Sequence, residues 1–152
     1  MITILLLGCS KNSDDENQFN LNNIIELGIE NNNGIDLLNP NNAESFNESE
    51  IKLFYLINGN VEEVYSPTAD LPRNFLIFEQ NDNYRIRIFL NYSETEEFPT
   101  TYVQWNETDT DTLKCKIYRT SSLVAAEKIW LNDELIWDES SNNEPYFEII
   151  KE

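Results

Sequence analysis

The turn Asn106-Glu107-Thr108-Asp109-Thr110-Asp111 sets three carboxylates on alternate residues, a pattern able to converge on a hard cation. Ca²⁺ takes about six to eight oxygen ligands, so Glu107, Asp109 and Asp111 are the candidate metal ligands of this chain. An EF-hand loop also needs a glycine after its third ligand and a distal glutamate, and neither stands here. The plainer reading is a solvated, charged hairpin tip. A second cluster, Glu94, Glu96 and Glu97, precedes Pro99. Paired carboxylates at a set separation hydrolyse glycosides, so a carboxylate-dependent polysaccharide hydrolase, or an accessory to one, is the alternative reading. No neighbouring residue fixes these side chains opposite another acid, and no catalytic residue is assigned.

The chain has no histidine, which removes the commonest general base, metal ligand and pH switch. Its two cysteines are Cys9 and Cys115. In Leu113-Lys114-Cys115-Lys116-Ile117, alternation places Cys115 on the same face as Leu113 and Ile117, the setting of a buried structural thiol. Among the aromatics, Trp130 and Trp137 flank Asn132-Asp133-Glu134 and are the candidate partner-binding pair, able to stack on a sugar ring or a protein surface if they share an exposed face. Core filling is the competing role for such rings.

Cys9 belongs to a different pattern. Ile2, Ile4, Leu5, Leu6 and Leu7 form an apolar run that ends in Gly8-Cys9 and gives way at once to Ser10-Lys11-Asn12-Ser13-Asp14-Asp15-Glu16. This resembles the bacterial lipobox, in which the cysteine thiol is acylated after cleavage, and it implies lipidation at Cys9 by palmitate-type chains. Each buried methylene contributes about 0.8 kcal/mol, so two or three acyl chains hold a protein on a membrane almost permanently. Residues 1–8 are too short to span a bilayer, which takes about 20 apolar residues. A signal peptide normally opens on a positive segment, and no Lys or Arg precedes Cys9, so the natural start is expected upstream of Met1. Lys11, Asp14, Asp15 and Glu16 are similar in placement to the surface-export signal of Bacteroidetes-type lipoproteins. That resemblance implies an outer-membrane anchor and outward display.

The net charge of −18 carries its own exclusions. From residue 1 to 50, Lys11 is the single basic residue against nine acidic ones. Phosphate binding requires clustered Lys and Arg, so nucleic acid is excluded as a partner, as is flat adsorption to anionic lipid. A domain held off the membrane by its lipid, meeting a protein or glycan, suits this field.

The elements that must position these residues read as short strands. Residues 10–23 are polar and are expected to form a flexible tether, so the organisation is signal peptide 1–8, tether 9–23 and a β domain over 24–152. Apolar, β-branched runs follow at 24–29, 51–57, 61–65, 75–79, 84–92, 101–105, 112–118, 128–131, 135–138 and 146–150, separated by turn residues. Asn58-Gly59-Asn60, Asn81-Asp82-Asn83 and Asn132-Asp133-Glu134 lie between paired runs, and Asn-Gly is a strong hairpin signal because both residues tolerate positive φ. Residues 123–127 are expected to form at most a short helical turn. About ten strands joined by hairpins bury their faces best as an all-β antiparallel β-sandwich, immunoglobulin-like or related, with a small β-barrel as the alternative.

Asp36-Leu37-Leu38-Asn39-Pro40, residues 51–59, Thr101-Tyr102-Val103-Gln104-Trp105, Asp111-Thr112-Leu113 and residues 130–137 together resemble stretches of small Bacteroidetes lipoproteins of unassigned function. The resemblance implies an envelope β domain and supplies no catalytic residues. Within it, Asp111-Thr112-Leu113 is similar to the O-glycosylation triplet of proteins secreted by such bacteria, which makes Thr112 a candidate glycosylation site.

Overall fold

A computed structural model describes residues 19–152, so the Cys9 pattern lies outside the described residues. The described chain is all-β, a sandwich of two mixed sheets. In chain order the strands are β1 (Asn20–Asn22), β2 (Ile24–Asn31), β3 (Lys52–Ile57), β4 (Asn60–Glu63), β5 (Phe75–Gln80), β6 (Asn83–Phe89), β7 (Thr100–Gln104), β8 (Thr110–Arg119), β9 (Leu123–Leu131), β10 (Glu134–Asp138) and β11 (Tyr146–Lys151). One sheet runs β1-β9-β8-β7-β3-β4, with β10 also paired to β9, and the other runs β11-β2-β6-β5.

The tight hairpins form where both central residues accept positive φ. Asn58 and Gly59 sit at φ 52 and 75, Asn81 and Asp82 at 53 and 66, and Asn132 and Asp133 at 47 and 70. Turns of this hand match the right-handed twist of the strands they join. Residues 58–59, 81–82 and 132–133 therefore connect β3 to β4, β5 to β6 and β9 to β10 in register.

Three expectations change. Residues 20–22, assigned to the tether, form β1, which pairs in parallel with residues 123–125 of β9. The ordered domain thus begins before Ile24. The sheets are mixed rather than purely antiparallel, because β11 also pairs in parallel with β2. Residues 123–127 are strand and not a helical turn. Ala126, Ala125 and Val124 pair with Ile117, Tyr118 and Arg119 of β8, and the alternation buries Val124 and Ala126. Ladder bonds and burial outweigh the helix preference of Leu-Val-Ala-Ala-Glu.

Between the sheets, Ile25, Leu27 and Ile29 of β2 and Ile86 and Ile88 of β6 face Leu53, Val103, Leu113, Cys115 and Ile129. Asn23 is the residue at which the chain passes from one sheet to the other. It is buried, and its carbonyl accepts from Leu90 N at 2.8 Å while its side-chain amide donates to Leu90 O. The outward face of the smaller sheet is closed by charge: Glu26 holds Arg85 at 3.3 Å and Arg87 at 2.7 Å, and Arg85 lies 3.8 Å over the Tyr146 ring. The long connection between β2 and β3 is anchored by Asp36, whose carboxylate accepts from Leu38 N, Asn39 N and, across the fold, Tyr84 N at 2.8 Å.

Candidate functional site: a cleft beside Trp105

The acidic turn is built by Asn106, whose Oδ1 accepts from Thr108 N at 2.9 Å and Asp109 N at 3.0 Å, while Trp105 N donates to Asp109 O at 2.9 Å. Alternation along β7 sends Thr101, Val103 and then Trp105 inward, and Trp105 is fully buried. Asp111 lies opposite Val103 and is therefore inward too. Its carboxylate accepts from Trp105 Nε1 at 2.7 Å, Asn132 Nδ2 at 2.8 Å and Lys151 Nζ at 2.7 Å. Lys151 Nζ also meets Asp109 Oδ1 at 2.7 Å and lies 5.5 Å from the Trp105 ring centroid. Burial alone would raise the Asp111 pKa. The hydrogen bonds from Lys151, Asn132 and Trp105, together with the Lys151 charge, outweigh it and hold the carboxyl below its ordinary range.

Two of the three predicted ligands do converge on a cation, but the cation is an ammonium. Lys151 continues the inward alternation of Phe147 and Ile149 along β11 and so reaches from one sheet into the acidic turn of the other. Glu107 is exposed and does not join them. Among the described residues no three His, Cys, Asp or Glu are arranged to hold a metal ion. The Ca²⁺ assignment to Glu107, Asp109 and Asp111 is corrected accordingly. Sequence reasoning missed Lys151 because its partners are 42 and 40 residues distant, although its place in the β11 alternation was visible.

The second acidic cluster is dispersed. Glu96 accepts from Gly59 N at 3.1 Å, tying the loop before β7 to the β3–β4 turn, and Glu94 faces Arg119 at 3.7 Å. Trp130 and Trp137 are also separated. Leu135 pairs with Trp130, but a bulge at Ile136 shifts the register so that Trp137 pairs with Ile129. A one-residue slip exchanges the faces of a strand. Trp137 thus packs against the core, with its Nε1 donating to Asn143 O at 3.0 Å. Trp130 stays on the outer face, covered edge-on by Phe98 at 5.7 Å. The two indoles form no shared platform. Thr112 lies within β8 opposite Tyr102, half-buried, its N–H donating to Asn132 Oδ1 at 2.9 Å.

Cys115 is a buried free thiol that donates to Asn91 O at 3.3 Å, and burial pushes its pKa up to about 12. In a Cys9→Ala background it is expected to resist a thiol-reactive disulfide reagent at mildly alkaline pH until denaturant is added. Rapid labelling of the folded protein would contradict this placement.

At the end of the sandwich marked by Trp105, a cleft of ≈ 550 Å³ opens between the turn at residues 31–33, the loop segment bearing Glu44 and Phe46, and the turn at residues 106–109. The Phe46 ring lies on Trp105, centroids 5.5 Å apart at 22°. A second depression of ≈ 710 Å³ adjoins it across Asn106 and Thr108, walled by Glu50, Lys52 and Gln104. Both volumes lie in the range of small-molecule sites. No protein-family model, curated protein or solved structure compared with this chain matches it, so the geometry itself describes the site.

Proposed function

We propose that the protein is a membrane-anchored envelope lipoprotein, acylated at Cys9, whose β-sandwich is a non-enzymatic module that binds a protein or glycan partner. The observation that carries this reading is the Leu6-Leu7-Gly8-Cys9 sequence with its polar, acidic sequel. Two structural features support it. The first described strand, β1, is an edge strand, so the described domain begins at the rim of a sheet. The three glutamates before Pro99, which the hydrolase alternative would use, are directed at Gly59 and Arg119 in the two cases with partners, and not at each other across a groove.

Growth with radiolabelled palmitate is expected to label the wild-type chain and to leave Cys9→Ala unlabelled. Equal labelling of the variant would overturn the anchor. Outward display is read by protease treatment of intact cells, which should remove the domain; complete protection would restrict it to the inward face of the membrane.

A further inference from the structure

We infer that the cleft beside Trp105 is a saccharide site, seating one neutral pyranose ring against Phe46 and a second in the adjoining depression. The inference rests on the proposed binding role and names the class of its partner.

Sugar recognition asks for a flat ring held still, for groups that both give and accept hydrogen bonds, and for an electrostatic setting suited to the ligand's charge. The ring is Phe46. One of its faces rests on Trp105, which is fully buried and pinned through its indole N–H to Asp111. Phe46 lines the cleft with the remaining surface. The apolar C–H face of a pyranose packs on such a preorganised ring, with little side-chain entropy left to lose.

The hydrogen-bonding groups are carboxamides. Asn32, Asn33 and Asn106 line the same cleft; the first two carry both donor and acceptor atoms, as sugar hydroxyls require, and Asn106 offers its amide donor. Asn106 Oδ1 is committed to its own turn, which fixes the orientation of the amide. Glu44 adds a carboxylate whose Oε2 is held by Asn31 Nδ2 at 2.7 Å. The charge of the cleft wall selects neutral ligands. The Lys151 ammonium in the wall is matched by Asp109 and Asp111, leaving Glu44 and Glu152 to face the cleft in a chain of net charge −18. An acidic polysaccharide is repelled, whereas neutral hydroxyls meet no penalty. The continuity of the two depressions across Asn106 and Thr108 gives room for more than one ring.

The test uses the ¹⁵N-labelled full chain carrying Cys9→Ala, so that its outcome is independent of acylation. Cellohexaose, maltohexaose, xylohexaose, mannohexaose and chitohexaose are titrated separately to millimolar concentration. Saturable shifts are expected for at least one of them at the side-chain amides of Asn32, Asn33 and Asn106 and at the Trp105 indole N–H. Phe46→Ala should weaken that binding by about tenfold. Because Phe46 is partly buried, the exposed double variant Asn32→Ala/Asn33→Ala serves as the second probe and should weaken it by at least about threefold while remaining folded. Trp130→Ala should leave it unchanged. Absence of shifts with all five oligosaccharides, shifts centred on Trp130 and Phe98, or undiminished binding by the double asparagine variant would each overturn the saccharide site. Failure of the wild-type chain to incorporate palmitate, with these shifts intact in the Cys9→Ala protein, would overturn the anchor alone.

Discussion

Lys151→Met is expected to lower the folding free energy by about 3 kcal/mol and the thermal midpoint by on the order of 10 °C. The Lys151 side chain is 12% exposed and Asp111 10%, while Asp109 is 32% exposed. Removing one partner of a buried ion pair leaves the other charge desolvated, which costs about 3–5 kcal/mol, and the partial exposure of Asp109 places this site at the lower end. Methionine keeps the apolar stem over Trp105, so the loss isolates the ammonium. A double-mutant cycle with Asp111→Asn should return a coupling above about 1 kcal/mol, and strictly additive effects would show that the pair is not a unit.

The same site sets an acid limit. The folded-state pKa of Asp111 is depressed, so the stabilisation that it contributes is complete above its unfolded value of about 3.9 and is lost as pH falls through the folded value. The wild-type melting temperature should therefore drop below about pH 4, and Asp111→Asn should flatten that drop. Identical acid profiles for the two proteins would remove Asp111 from the account.

Trp105→Ala is expected to have the largest effect of any single substitution considered, about 3–5 kcal/mol from lost burial and the cavity left behind. A further cost follows, because Asp111 loses the 2.7 Å indole donor and Phe46 its stacking support. Domains of this size are stable by only about 5–15 kcal/mol, so the variant should unfold at a small fraction of the wild-type denaturant concentration or fail to fold. Trp105→Phe separates the contributions. It retains most of the volume, and its residual loss reports the Asp111 hydrogen bond. A Trp105→Ala midpoint within error of wild type would be incompatible with the packing described here.

These two sites explain why the acidic turn reads one way in sequence and another in the fold. Alternating carboxylates at 107, 109 and 111 signal a cation site, and the chemical instinct is sound for Asp109 and Asp111. The ligand that satisfies them comes from the last strand. Its side chain is delivered by the parallel pairing of β11 with β2, a contact with no local signature. The tryptophan pair fails for a related reason. Strict alternation places Trp130 and Trp137 on one face, and the bulge at Ile136 moves one of them to the core side. Packing of Ile136 and Trp137 against the core favours that shifted register, and no turn residue announces it.

By itself the sequence determined the all-β class, the order and approximate extent of ten of the strands, and the hairpin turns within 58–60, 81–83 and 132–134. These depend on short-range physics: period-two alternation and the positive φ that Asn, Asp and Gly accept. It also determined the burial of Cys115, through alternation alone. Only the tertiary structure decided that residues 20–22 belong to a sheet, that residues 123–127 extend β9, and that Lys151 occupies the place of a metal between Asp109 and Asp111. It likewise decided that residues 31–33, Phe46 and Asn106 meet at one cleft. Each of these joins segments far apart in the chain. Their free energy comes from burial and pairing that exist only once two sheets have closed on each other, and a local pattern carries no record of its distant partner.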